Sequence, residues 1–341
     1  MQTPKGPSES EKPGDYFGNC REKVLYGHTQ TVRTVAWSSD GRFLASGSVD
    51  TTVRIWWTAE EDIIESWKLE GHRDSVDQLC WNPKNPSVLA TASEDRTVRF
   101  WDVRADLSSV CRHAVETQGQ NINISWSKDG NTVAIGDKDN IISFIDTRTY
   151  KIVNTYYEKK DDKKIEFNEM TWDHNCNLFY LTTGTGAIRV LRWPSLNVVH
   201  TLRGHTASCY CLEYDPKLRY LATGAADALV GLWDLSYWYM IRAFPGYEVV
   251  GKVRSSITKT PVRTLSFTHD GKYIASASED QQIVLSEVET GDTIYRLPCG
   301  AATNSVSWHP NGYLLAYAGD EFSSDIDGRK YRGLKVYGYY D

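Results

Sequence analysis

Apolar residues fall at every second position in short runs along almost the whole chain, and turns separate the runs. TTVRIW, RTVRFW, NIISFI, ALVGLW and QQIVLS alternate in this way, which is the period of a half-buried strand. A second kind of run is more continuously apolar: FLASGS, VLATAS, TVAIGD, LFYLTTG, YLATGA, YIASAS and LLAYAG. Before each of these stands one aromatic and then a turn rich in Asp, Gly, Asn and Pro. The aromatics are Trp37, Trp81, Trp126, Trp172, Tyr214, Phe267 and Trp308, at intervals of 44, 45, 46, 42, 53 and 41 residues. A period of roughly 40 to 45 residues with four strand-length runs is that of a propeller blade, with one insertion before Phe267. The pattern predicts an all-β fold, a seven-bladed β-propeller, in which radial repetition leaves few exposed edges.

The two ends of the chain complete the picture. The last unit ends in GLKVYGYYD, which supplies its third strand, while CREKVLYGH stands before the first unit without a place in it. Lys23 to Tyr26 therefore completes the last blade and closes the ring. Residues 20–341 read as one propeller. Residues 1–19, rich in Pro, Gly, Ser and charge, read as a flexible N-terminal tail.

Composition narrows the function. The 341 residues are 40% hydrophobic and 24% charged, with 12 Trp, 20 Tyr and 25 Gly, as short strands and tight turns require. A net charge of -6 argues against wrapping nucleic acid by phosphate neutralisation. The seven cysteines form no C-x-x-C pair, so neither a disulfide framework nor a zinc site is suggested, and free thiols in a reducing compartment are expected. The first twenty residues lack the apolar core of a signal peptide, and no run has the length of a membrane span. Cytoplasm or nucleus is the expected place. A phosphate loop, H-E-x-x-H and a carboxylate ring at metal spacing are all missing from the sequence. No cofactor, membrane contact or small-molecule substrate is expected.

Three units share a further pattern, a Gly-His pair leading to a Trp, and on it the chain resembles the WD-repeat (WD40) family. The pairs are Gly27-His28, Gly71-His72 and Gly204-His205. At matched offsets come His28, Ser46, Asp50 and Trp56; His72, Thr91, Asp95 and Trp101; and His205, Thr223, Asp227 and Trp233. His, Ser and Asp together suggest nucleophilic catalysis. The resemblance implies instead a buried structural network from Asp through His and hydroxyl to indole. Three copies, two of them with Thr, fit a repeated fastening better than one activated nucleophile, so no residue is assigned to catalysis. The other four units depart from the pattern. The third keeps Asp139 but has Ile145, the fourth has Thr185 in the Asp place, the sixth pairs Ser276 and Asp280 with Ser286, and the seventh has neither pair.

The family resemblance also places the residue four before each aromatic near the rim of the central channel: Arg33, Asp77, Ile122, Asn168, Tyr210, Arg263 and Asn304. Positions before the turn aspartates add Glu94, Lys138 and Glu279. With the exception of Ile122, these are the candidate partner-binding residues, Arg and Tyr being common interface anchors. Segments 245–260 and 320–333 exceed a minimal blade and are further candidates, whereas 156–167, with alternating charges, reads as a solvated loop.

Longer runs resemble one group within this family, the propeller subunits of the THO/TREX assembly. They are HRDSVDQLCWNP, TASEDRTVRFWDVR, NINISWSKDGNTVAIGDKDNIISFID, LATGAADALVGLWD and PVRTLSFTHDGKYIASASED. The resemblance implies a nuclear scaffold that docks onto the other THO subunits, in transcription-coupled processing and export of messenger RNA, with RNA met indirectly through them. Two alternatives are a substrate adaptor of a cullin-ring ubiquitin ligase, resting on WDVR and its Arg104, and a chromatin or histone reader, resting on Asp77, Glu94 and Glu279.

Overall fold

The computed structural model of the protein describes residues 6–8, 11–59, 62–104, 111–160, 163–245, 260–320, 323–326 and 329–339. Seven antiparallel sheets form the blades of a propeller. The inner strand of each blade ends on one of the seven repeating aromatics: Val32–Trp37, Val76–Trp81, Asn121–Trp126, Phe167–Trp172, Cys209–Tyr214, Thr264–Phe267 and Thr303–Trp308. The expected seven-bladed all-β fold is the observed one.

Ring closure follows the expected route. Arg21–His28 pairs antiparallel with Arg329–Tyr339, so the outer strand of blade 7 comes from the N-terminal part of the chain. Glu22 fixes it further, accepting from Tyr317 Oη at 2.6 Å and Lys335 Nζ at 2.7 Å.

The core is divided among the seams between blades. Seven apolar clusters each join adjacent blades, as when Val53, Ile55 and Leu69 of blade 1 meet Val76, Leu79 and Trp101 of blade 2. A blade is therefore stable only beside its neighbours, and burial of apolar area holds the ring together.

The expectation of a flexible tail over 1–19 does not hold for its last seven residues. Pro13–Asn19 is a helix, and its Tyr16 and Phe17 are 2% and 1% exposed. They enter the seam of blades 6 and 7 against Tyr273, Leu297, Trp308 and Tyr313. Two adjacent aromatics bury enough area to order a segment whose composition otherwise favours disorder.

Two segments read as loops carry strands. Ser323–Ile326 pairs with the start of Arg329–Tyr339, so 320–333 contains a hairpin. Lys159–Lys160 pairs with Lys163–Lys164 inside 156–167. Of the 245–260 segment, residues 246–259 lie outside the described residues.

Candidate functional site

The His-hydroxyl-Asp-Trp sets assemble as three copies of one geometry. In blade 2, His72 Nδ1 lies 2.8 Å from Asp95 Oδ2 and His72 Nε2 2.7 Å from Thr91 Oγ1, while Trp101 Nε1 donates to the same hydroxyl at 3.0 Å. In blade 1, His28 is 3.0 Å from Asp50 and 2.8 Å from Ser46, which accepts from Trp56 at 3.0 Å. In blade 5, His205 is 3.1 Å from Asp227 and 2.8 Å from Thr223, which accepts from Trp233 at 2.8 Å. Burial holds all three imidazoles below the usual histidine range, so they are neutral. Nδ1–H then donates to the carboxylate and Nε2 accepts from the hydroxyl. Hydrogen bonds from His28 and His72 hold Asp50 and Asp95 well below the usual carboxylate range, against the opposing effect of burial.

These hydroxyls are inaccessible. Ser46, Thr91 and Thr223 are 0% exposed and already bonded to imidazole and indole. The sets fasten the loop leading into each blade to its second and third strands.

Blades without the full set tie the same turn differently. Asp137 accepts from the backbone N–H of Asp139 and Ile141 at 2.9 Å each. Thr183 Oγ1 meets Thr185 Oγ1 at 2.9 Å, and Ser278 Oγ donates to Asp280 at 2.8 Å.

The other candidates converge at the mouth of the channel. Arg33, Asp77, Ile122, Asn168, Tyr210, Arg263 and Asn304 line one cavity of about 380 Å³. A local backbone feature puts them there. In six blades the pairing of inner and second strand shifts register at this position, between Val32 and Thr34, Val76 and Gln78, Asn121 and Asn123, Phe167 and Met170, Cys209 and Cys211, and Thr303 and Ser305. Such a bulge re-aims a side chain.

The rim residues are tied both within blades and across blade seams. Asn304 Nδ2 donates to Val32 O at 3.3 Å, and Asn168 Nδ2 to Cys209 O at 2.9 Å. Arg33 faces Asp77 at 4.0 Å, and Lys138 pairs with Glu94 at 2.8 Å. Arg263 pairs with Glu279 and lies over the Tyr210 ring. Asp77, desolvated and next to Glu94, has its carboxyl pushed up to about 6. Arg33, Lys138, Arg263 and Glu279 are the exposed charges of this rim.

Sequence reasoning missed the layer beneath. Gln78 Nε2 donates to Glu169 Oε2 at 2.7 Å, joining blade 2 to blade 4. Glu213 accepts from the Phe267 N–H of blade 6 at 2.9 Å. Burial pushes both carboxyls up to about 7. The signal was present: Glu169 and Glu213 are charged residues on inner strands, three and one before the repeating aromatic.

Arg104 lies on the opposite face, its guanidinium 2.7 Å from Asp102 Oδ2. All seven cysteines are free thiols, and Cys209, Cys211 and Cys299 are buried.

Comparison with known proteins adds a lineage to this geometry. Residues 28–318 match the family described as the THOC3 beta-propeller domain. The chain is 45% identical over 307 residues to THO complex subunit 3 of Arabidopsis thaliana, covering 89% of this chain and 91% of that protein. It is 30% identical to the WD repeat-containing protein AAC3 of Dictyostelium discoideum, over 95% of this chain and 68% of that one. A WD repeat-containing protein 26 homolog of Arabidopsis thaliana is 27% identical over 90% of this chain and 50% of its own length.

Proposed function

The chain belongs to the THOC3 β-propeller family, and from that premise we propose that it is a non-catalytic scaffold subunit of the THO/TREX complex. It acts in the nucleus, in transcription-coupled processing and export of messenger RNA, by docking onto the other THO subunits. The observation that carries this reading is 45% identity across nine-tenths of both chains to a protein named THO complex subunit 3. Similarity of that extent spans most of the propeller.

The chemistry supports a scaffold. The candidate nucleophiles are buried and bonded, and the channel mouth carries paired charges of both signs around Tyr210. Such a rim suits a protein partner of mixed polarity. With a net charge of -6, RNA is met through neighbouring subunits rather than gripped directly.

Affinity purification of the chain from nuclei tests the proposal. The other THO subunits should be recovered in near-equal amounts. Recovery of ubiquitin-ligase or histone components in their place would overturn it.

A further inference from the structure

Arginine recurs at one ladder position in the third strand of three blades. Arg54, Arg99 and Arg189 stand opposite Ser46, Thr91 and Leu181 of the second strand. Blade 4 shows what this position holds. Glu158, from the segment leading into that blade, sets Oε2 2.8 Å from Arg189 Nε and Oε1 2.5 Å from Nη2. Thr201 Oγ1 accepts from Nη1 at 3.1 Å. The contact is a two-pronged guanidinium–carboxylate pair, strong and geometrically selective.

Arg99 in blade 2 has no counterpart to Glu158. The loop leading into its blade supplies Gly71, so close that a Cβ there would come within 2.7 Å of Arg99 Nη1, and then Arg73. Arg73, Arg96 and Arg99 line one pocket of about 440 Å³ with Thr97, Thr117 and Glu116. Asp95 borders it too, but His72 engages that carboxylate at 2.8 Å. Among the described residues, none of the three guanidinium groups makes an ion pair. Arg99 Nε is buried with no hydrogen-bond partner.

We propose that this pocket is an anion-binding site, and that it takes a carboxylate side chain from an acidic segment of a partner protein as Arg189 takes Glu158. The three guanidinium groups outnumber the two carboxylates beside them, Glu116 and the His72-bound Asp95, so an entering carboxylate balances the remaining positive charge while satisfying fork-shaped donors. The pocket opens on the same face as the channel rim, since Glu94 of the rim adjoins Asp95 and Arg96 in one tight turn. The site is a property of the chain's own residues and goes beyond membership of the THO complex.

Fluorescence anisotropy with the full chain tests it, using a labelled ten-residue peptide that contains four consecutive Glu and the same peptide with Gln in their place. The Glu peptide should bind at least tenfold more tightly than the Gln peptide. Its affinity should fall at least tenfold in Arg99→Ala and in the surface double variant Arg73→Glu/Arg96→Glu, and should weaken as salt rises. A control reversal at exposed sites on blade 3, Arg148→Glu/Lys151→Glu, should leave it unchanged, with melting temperatures verifying the fold of every variant. Equal binding of the two peptides, retained binding in Arg73→Glu/Arg96→Glu, or an equal loss in the control would each overturn the proposal.

Discussion

The indole N–H of Trp81 donates to the carbonyl of Ala36, 2.9 Å away in the preceding blade. Trp37 does the same to Ser307 at 3.2 Å and Trp172 to Ser125 at 3.4 Å. At these three positions the repeating aromatic is thus both a packing element and a tie between blades. Trp81→Phe keeps most of the apolar volume and removes the tie, so it should lower stability by about 1 kcal/mol. Urea unfolding checks this. A shifted midpoint with an unchanged slope is expected.

Thr91→Val tests the buried network of blade 2. It is close to isosteric but strips both His72 Nε2 and Trp101 Nε1 of their shared partner. Two buried polar groups left unpaired should cost about 2–4 kcal/mol, far more than a Thr→Val change at an exposed strand site. Thermal unfolding of the variant beside an exposed control separates the two.

Phe17→Ala distinguishes a docked helix from a loose tail. Phe17 is 1% exposed in the seam of blades 6 and 7, so truncation should cost about 3–5 kcal/mol. A loose tail would show no change in melting temperature.

Glu169 gives a pH signature of unusual sign. Its folded carboxyl keeps its proton up to about 7, above the ordinary 4.5. The folded state therefore binds the proton more tightly, and this contribution to stability declines as pH rises from 4.5 to 7. Glu169→Gln removes that dependence. Its stability relative to the parent should rise across this window, by up to about 3 kcal/mol, and level off above pH 7. The buried histidines act oppositely, since below pH 6.5 the unfolded chain takes up protons that His28, His72 and His205 refuse. They are common to both proteins and cancel in the difference.

Much of this was legible from residue spacing. The seven aromatics located the inner strands and the orphan run around Lys23 to Tyr26 located the closing strand, while the rim, four residues before each aromatic, was implied by the family resemblance. What escaped depends on partners distant in sequence. Pro13–Asn19 is ordered by a seam almost three hundred residues away, which its own composition does not announce. Glu158 looks like one charge in a solvated loop until the fold brings it to Arg189, 31 residues on. Arg99 holds the same strand position as Arg189, but the loop facing it differs and Ala114 stands where Arg189 has Thr201. The double use of the indoles is equally hidden, because the acceptors are backbone carbonyls that any sequence would supply.

Reconstitution with purified THO subunits tests whether the chain docks through its channel mouth. The parent chain should elute with them as one complex in size-exclusion chromatography. Arg33→Glu/Arg263→Glu, with an unchanged melting temperature, should lose at least tenfold in affinity and elute apart. Co-elution of this variant at parental affinity would contradict the account.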